Sequence, residues 1–322
     1  LSPFFIKTVA VKKIIYFFIA LISLPVFPQN NVERDTTYTV ASTYAKELKK
    51  YPFIQVVKKK TKSNVVEYKS IVYRKIGNRS LLLDGYCYQS KEAQPAVILI
   101  HGGGWKSGDK LHMEPMAMEI ASRGYNCFSI EYRLSPEAKY PAAVFDVKRA
   151  IQFIKSNGAK FNVDTARVAV LGCSSGGQMA ALVGSTNGNK LFEEKDKTNK
   201  TTTDVQAVID MDGILAFKHP QSQEGTVASL WLNGDYNENP QHWEAASALN
   251  HVNEHNPPIL FINSDMERFH AGRDDMIVKL NAFGIYIELK QINKSPHSFW
   301  LFDPWFDQTV NYATQFLNKI FK

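Results

Sequence analysis

The chain has 322 residues, 44% of them hydrophobic and 21% charged, a balance that suits one large α/β domain with a sizeable core. The formal net charge is +7, falling to +4 once Lys7, Lys12 and Lys13 are set aside. That surplus is spread over lysine clusters such as Lys58-Lys59-Lys60 and comes with no nucleic-acid motif, metal-ligand spacing or phosphate loop, so nucleic acid is not an expected partner and neither metal nor organic cofactor is expected.

Lys12-Lys13 precede the apolar run 14–24, which is short for a membrane span. Residues 1–29 read as a secretory signal peptide, with a retained anchor as the alternative. A periplasmic or secreted location follows, with no stable membrane insertion after cleavage. Residues 30–65 are polar and lysine-rich and read as an extension outside the core. The domain proper is expected over 66–322. Cys87, Cys127 and Cys173 are an odd set in apolar runs, which reads as buried free thiols rather than a disulfide framework.

From residue 66 onward strand and helix signals alternate. Stretches 70–74 and 81–88 form an expected antiparallel pair around a Gly77-Asn78 turn. The continuous apolar run 96–100 is a buried central strand. A helix over 113–122, a strand over 125–130 and an amphipathic helix over 142–155 follow. Strands at 168–171, 205–210, Ile259–Asn263 and 285–289 complete the sheet, with helices at 274–283 and 305–321. This order predicts an α/β fold with a mostly parallel central sheet and helices on both faces. Two stretches, 185–204 and 213–256, break the rhythm and read as loops or lid elements.

The pentad Gly172-Cys173-Ser174-Ser175-Gly176 lies between an apolar strand and a helix, the context of a nucleophile elbow. Ser174 is the candidate nucleophile; Ser175 is not expected to attack. Acyl transfer by serine also needs a base, an acid that orients it and donors for an oxyanion. The run His101-Gly102-Gly103-Gly104-Trp105 directly follows the central strand, so Gly103 and Gly104, with the N–H of Ser175, are the candidate donors. His101 reads as structural. His297 follows the final strand, and no later histidine exists, so it is the candidate base. Asp265, just beyond Ile259–Asn263, is the expected acid; Glu267, and Asp210 or Asp212 at the end of the preceding strand, remain alternatives.

These motifs resemble the α/β-hydrolase superfamily, in the branch of hormone-sensitive-lipase-like esterases and bacterial feruloyl and acetyl esterases (BD-FAE-like). The resemblance also rests on Glu131-Tyr132-Arg133-Leu134-Ser135-Pro136-Glu137, Tyr140-Pro141-Ala142-Ala143-Val144-Phe145-Asp146-Val147 and Asn162-Val163-Asp164. It runs from about residue 66 to the end and is densest over 96–184. It implies a serine esterase removing acetyl, feruloyl or methyl ester groups from plant cell-wall polysaccharide or its oligosaccharides. It also implies that Tyr132, Arg133 and Pro136 brace the oxyanion loop and that Asp146 supports them. Amide hydrolysis and a non-catalytic binding role are the competing functions. The chain departs from the family pattern in its short turn Asn263-Ser264-Asp265. Among five tryptophans, Trp105 and Trp300, together with His270, are candidates for substrate contact by stacking or hydrogen bonding; packing beneath the loops is the alternative for the tryptophans.

Overall fold

A computed structural model describes residues 1–2, 35, 37–194 and 200–322. The apolar run assigned to a signal peptide lies outside these residues. The described chain opens with α1 (Val40–Glu47) and β1 (Gln55–Val56), then β2 (Val65–Ile76), β3 (Arg79–Tyr88), β4 (Gln94–Ile100) and α2 (Glu114–Ala121). It continues through β5 (Asn126–Ile130), α3 (Ala142–Ser156), α4 (Gly158–Phe161), β6 (Val163–Cys173) and α5 (Ser175–Ser185). Then come β7 (Ala207–Met211), α6 (Gly225–Leu232), α7 (Pro240–Ala246), β8 (Ile259–Asn263), α8 (Arg273–Ala282), β9 (Ile287–Gln291), β10 (Phe302–Asp303) and α9 (Phe306–Phe321).

The main sheet has eight strands in the order β2-β3-β5-β4-β6-β7-β8-β9. β2, β3 and β5 pair antiparallel; every pairing from β5 through β4 to β9 is parallel. β4 is apolar without interruption because it is covered on both faces, as a central parallel strand must be. Its alternate residues serve two cores. Ala96, Ile98 and Ile100 face one, with Val144, Val147 and Ile151 of α3 and Met179 and Leu182 of α5. Val97 and Leu99 face the other, with Met116 and Ile120 of α2 and Val310, Phe316 and Leu317 of α9. The spacing of those helical residues is the i, i+3, i+4 pattern that makes one apolar stripe. All three cysteines are buried and free.

Residues 37–65, the described part of the segment read as an extension, do not lie wholly outside the core. Tyr51 and Ile54 join the core beneath α9, Tyr51 packs edge-on against Trp305 at 5.4 Å, and β1 pairs with β10. A few apolar residues set among lysines are enough to dock it, and composition alone hides them. The insertion 213–256 is likewise structured: it carries α6 and α7, and Trp231 of α6 is fully buried.

Candidate active site

The carboxyl ends of β4, β6, β7 and β8 and the loop after β9 supply the site. β6 runs straight into α5 through Ser174, which adopts φ 54° and ψ −121°. A non-glycine residue held there costs on the order of 1–3 kcal/mol and persists only where its surroundings impose it. The constraint is close packing: a Cβ on Gly172 would lie 1.9 Å from the Gly176 carbonyl oxygen, and one on Gly176 would lie 2.2 Å from that of Ile100. The helix therefore starts hard against the central strands. The N–H of Ser174 donates to the carbonyl of Met211 at 2.7 Å, tying the turn to β7.

His297 lies between Ser174 and Asp212. Its Nε2 is 2.8 Å from Ser174 Oγ and its Nδ1 is 3.0 Å from Asp212 Oδ2. A carboxylate can only accept, so Nδ1 carries the proton and Nε2 is the acceptor for the serine hydroxyl. Asp212 is fully buried, at φ 52°, immediately past β7. Its Oδ1 accepts from the N–H of Ser264 at 2.8 Å and from Asn263 Nδ2 at 3.3 Å, and its Oδ2 accepts from Ser264 Oγ at 2.5 Å. The imidazole is held in plane by Phe269, stacked at 3.3 Å between centroids, and by the edge of Trp300 at 5.2 Å.

The glycine loop runs alongside. A Cβ on Gly102 would be 3.1 Å from Ser174 Cβ, so the loop backbone touches the serine. Gly103 has φ 133°, and a Cβ there would strike the Ser107 carbonyl at 2.1 Å. Among the described residues, the N–H groups of Gly103, Gly104 and Ser175 have no protein acceptor. Tyr132 stacks on His101 at 4.4 Å and donates to its carbonyl at 3.0 Å, which supports the loop from below. Asp146 holds the next residue, Arg133, by its backbone N–H at 2.9 Å and its guanidinium at 2.8 and 3.0 Å.

The BD-FAE family model matches residues 83–274, which spans the glycine loop 101–105, the serine turn and Asp212. The chain belongs to the BD-FAE family. It is 28% identical over 222 residues to esterase LipC of Mycobacterium tuberculosis, covering 66% of this chain and 53% of LipC. It is 27% identical over 207 residues to a probable carboxylic ester hydrolase, LipM, of the same organism, covering 63% and 46%. The chain thus spans about half the length of the curated relatives it matches. A truncated carbohydrate esterase from gut microbiota shares the α/β-hydrolase fold with a TM-score of 0.69 at 24% identity, over 81% of this chain and all of the other.

In this BD-FAE domain the reading of five sequence-predicted residues changes. Asp265 does not reach His297. It is exposed, and its carboxylate accepts from Gln291 Nε2 at 2.8 Å and from the N–H of Lys294 at 2.5 Å, bracing the chain beyond β9. β8 ends at Asn263, and Ser264 turns back to bond Asp212, which sends the next side chain outward. The carboxylate on His297 therefore comes from β7, next to the serine strand, rather than from β8. Glu267 is exposed in the turn Glu267–His270. Trp105 is buried, stacked on Trp231 at 4.9 Å, and donates from Nε1 to Gln178 Oε1 at 2.9 Å; it fastens the loop to α5 and α6. Trp300 is 3% exposed, packs on the imidazole and borders a cleft that it shares with Val40, Val57, Leu111 and Pro115. His270 is buried on the other side of Asp212, with Nε2 3.7 Å from Oδ1 and Nδ1 3.2 Å from Arg273. Burial lowers its pKa, against the pull of Asp212.

Asp210, two residues from Asp212, serves differently. Its Oδ1 accepts from the N–H of Gly213 at 2.9 Å. Burial, reinforced by the neighbouring Asp212, pushes its carboxyl well above the ordinary carboxylate range. Burial likewise raises the Cys173 thiol well above its usual value, so the residue beside the serine is no competing nucleophile. The contacts of Phe269 and Ser264 were not visible in the sequence. The one signal for Asp212 was an aspartate directly following an apolar strand and directly preceding a glycine, Gly213.

Proposed function

We propose that the chain is a serine carboxylic ester hydrolase acting on ester groups carried by carbohydrate. The carrying observation is the continuous hydrogen-bonded path from Ser174 Oγ through His297 to buried Asp212, beside a loop with unused N–H donors. Ser174 Oγ attacks the ester carbonyl while His297 Nε2 takes its proton. Asp212 keeps Nδ1 protonated and stabilises the imidazolium that results. Gly103, Gly104 and Ser175 offer N–H groups to the oxyanion. The imidazolium protonates the departing alcohol, and the same nitrogen then activates water against the acyl-serine. This sequence of steps uses no metal and no organic cofactor.

Acetyl, feruloyl or methyl esters of plant cell-wall polysaccharide, or its oligosaccharides, are the substrates we favour, met in the periplasm or outside the cell. Support for the ester class comes from the esterase relatives, and for the carbohydrate class from the gut-microbial carbohydrate esterase that shares the fold. Turnover of p-nitrophenyl acetate, acetylxylan, methyl ferulate and methylated pectin by the wild type and by Ser174→Ala tests both levels. Full p-nitrophenyl acetate activity in Ser174→Ala would sink the serine mechanism. Turnover of p-nitrophenyl acetate with no attack on any of the other three esters would remove the carbohydrate assignment.

A further inference from the structure

Glu224 immediately precedes α6, and α6 lies against the oxyanion loop: a Cβ on Gly104 would be 3.0 Å from Val227 Cγ1. Glu224 Oε1 is buried and has no hydrogen-bond partner among the described residues. The carboxyl is within electrostatic reach of Arg268 and of His297, and burial raises its pKa against the pull of both. Neither neighbour satisfies it. His297 uses its two nitrogens on Ser174 and Asp212, and the Arg268 guanidinium lies over the Phe269 ring at 4.2 Å.

A buried acceptor without a donor is destabilising. Such a group is uncommon in a folded protein and calls for a cause of its own. Here it stands at the start of the helix that packs on the glycine loop, within electrostatic reach of a guanidinium that lies over Phe269, the ring stacked on His297, and with which it forms no ion pair among the described residues. A carboxylate accepts hydroxyl hydrogens, and a guanidinium donates to hydroxyl oxygens. A hydroxyl group entering between them satisfies both at once; an alkyl or aryl alcohol without further hydroxyls satisfies neither.

We propose that Glu224 and Arg268 form a polyol-reading subsite, which selects esters whose neighbouring carbon carries a free hydroxyl, as in a partly acylated sugar. This rests on the esterase reading of the same site and narrows its substrate. Both residues bind; neither takes part in bond making.

Mono-acetylated methyl xyloside and p-nitrophenyl acetate are the probes. In Glu224→Ala, the ratio of kcat/KM for the glycoside to that for p-nitrophenyl acetate is expected to fall at least tenfold, chiefly through KM. Arg268→Ala should move it the same way, and Glu224→Gln should move it less. A ratio unchanged within twofold overturns the subsite. So does an equal loss on both substrates, which would mean a structural or catalytic role. Calorimetric binding of the acetylated glycoside to Ser174→Ala, with and without Glu224→Ala, reads the subsite apart from turnover. A tenfold weakening supports it; equal affinity, or no binding to Ser174→Ala, overturns it. Failure of the wild type to hydrolyse either ester would count against the esterase reading, while the binding comparison would still decide the subsite.

Discussion

Asp212 and His297 meet through a 3.0 Å hydrogen bond between Oδ2 and Nδ1, and each partner is also held by contacts of its own. Ser264 gives Asp212 both its N–H and its hydroxyl, while Phe269 and Trp300 confine the imidazole. The acid is reached from the end of β7 and the base from the loop after β9, so the geometry depends on the register of β7, β8 and β9. Orientation of this kind is what lets a histidine act in one tautomer.

Asp212→Asn should therefore lower kcat by about 10⁴-fold, the scale seen when an orienting carboxylate becomes an amide. Asp265→Asn should leave kcat on p-nitrophenyl acetate within about twofold, since its bonds hold the chain after β9 rather than the base. Assaying both variants beside the wild type decides the acid. A larger loss in Asp265→Asn than in Asp212→Asn would reverse the assignment.

Much of this arrangement was legible in the sequence because it is local. A serine between an apolar strand and a helix, and a glycine run at the end of another strand, are set by neighbours within a few residues. The acid was not local in that sense. Asp212 and Asp265 both follow apolar strands, and only the pairing of β7 with β8 and the backward turn of Ser264 show which one faces His297. Trp105 misled for a related reason. An aromatic at the end of an exposed-looking glycine run suggests a substrate platform, yet its partner Trp231 lies 126 positions on, in an insertion with no strand or helix period. Tyr51 and Ile54 show the same limit, since their burial depends on α9 at the other end of the chain.

The glycine loop gives a second test. Gly103→Ala places a methyl group 2.1 Å from the Ser107 carbonyl, at a φ of 133° that side chains rarely adopt, so the loop must shift. Displacing one oxyanion donor costs about 10²–10³ in kcat. The expected kinetic pattern is a fall in kcat with little change in KM, measured on p-nitrophenyl acetate. Unchanged kcat would mean that the donors lie elsewhere.

Trp105→Ala separates packing from recognition. The substitution removes a buried ring that stacks on Trp231 and bonds Gln178. Emptying such a site costs about 3–5 kcal/mol, and urea unfolding should show it. A variant of wild-type stability with a raised KM for aromatic esters would instead restore the substrate-platform reading.

The stability of the fold should fall on acidification through three histidines, two half-buried and one buried. Burial lowers the pKa of His112, His251 and His270 from 6.5. Each then binds a proton more readily in the unfolded chain than in the folded one. Their contribution is complete above pH 6.5 and declines as pH drops toward each lowered folded value, at up to about 1.4 kcal/mol per pH unit for each. Asp210 has the opposite sign: its raised pKa favours the fold at low pH and loses that advantage as pH rises above 3.8. The two trends overlap, so the bare pH profile of the wild type is not diagnostic. A difference measurement is. His251 is 2.9 Å from the Ala245 carbonyl through Nε2 and packs edge-on against Phe192 at 4.9 Å, away from the serine. His251→Gln removes one titrating group and leaves Asp210 in place. Urea unfolding of both proteins at pH 7.5, 6.5 and 5.5 should show the wild type losing stability relative to the variant as pH falls. Parallel curves would mean that His251 titrates alike in the folded and unfolded chain.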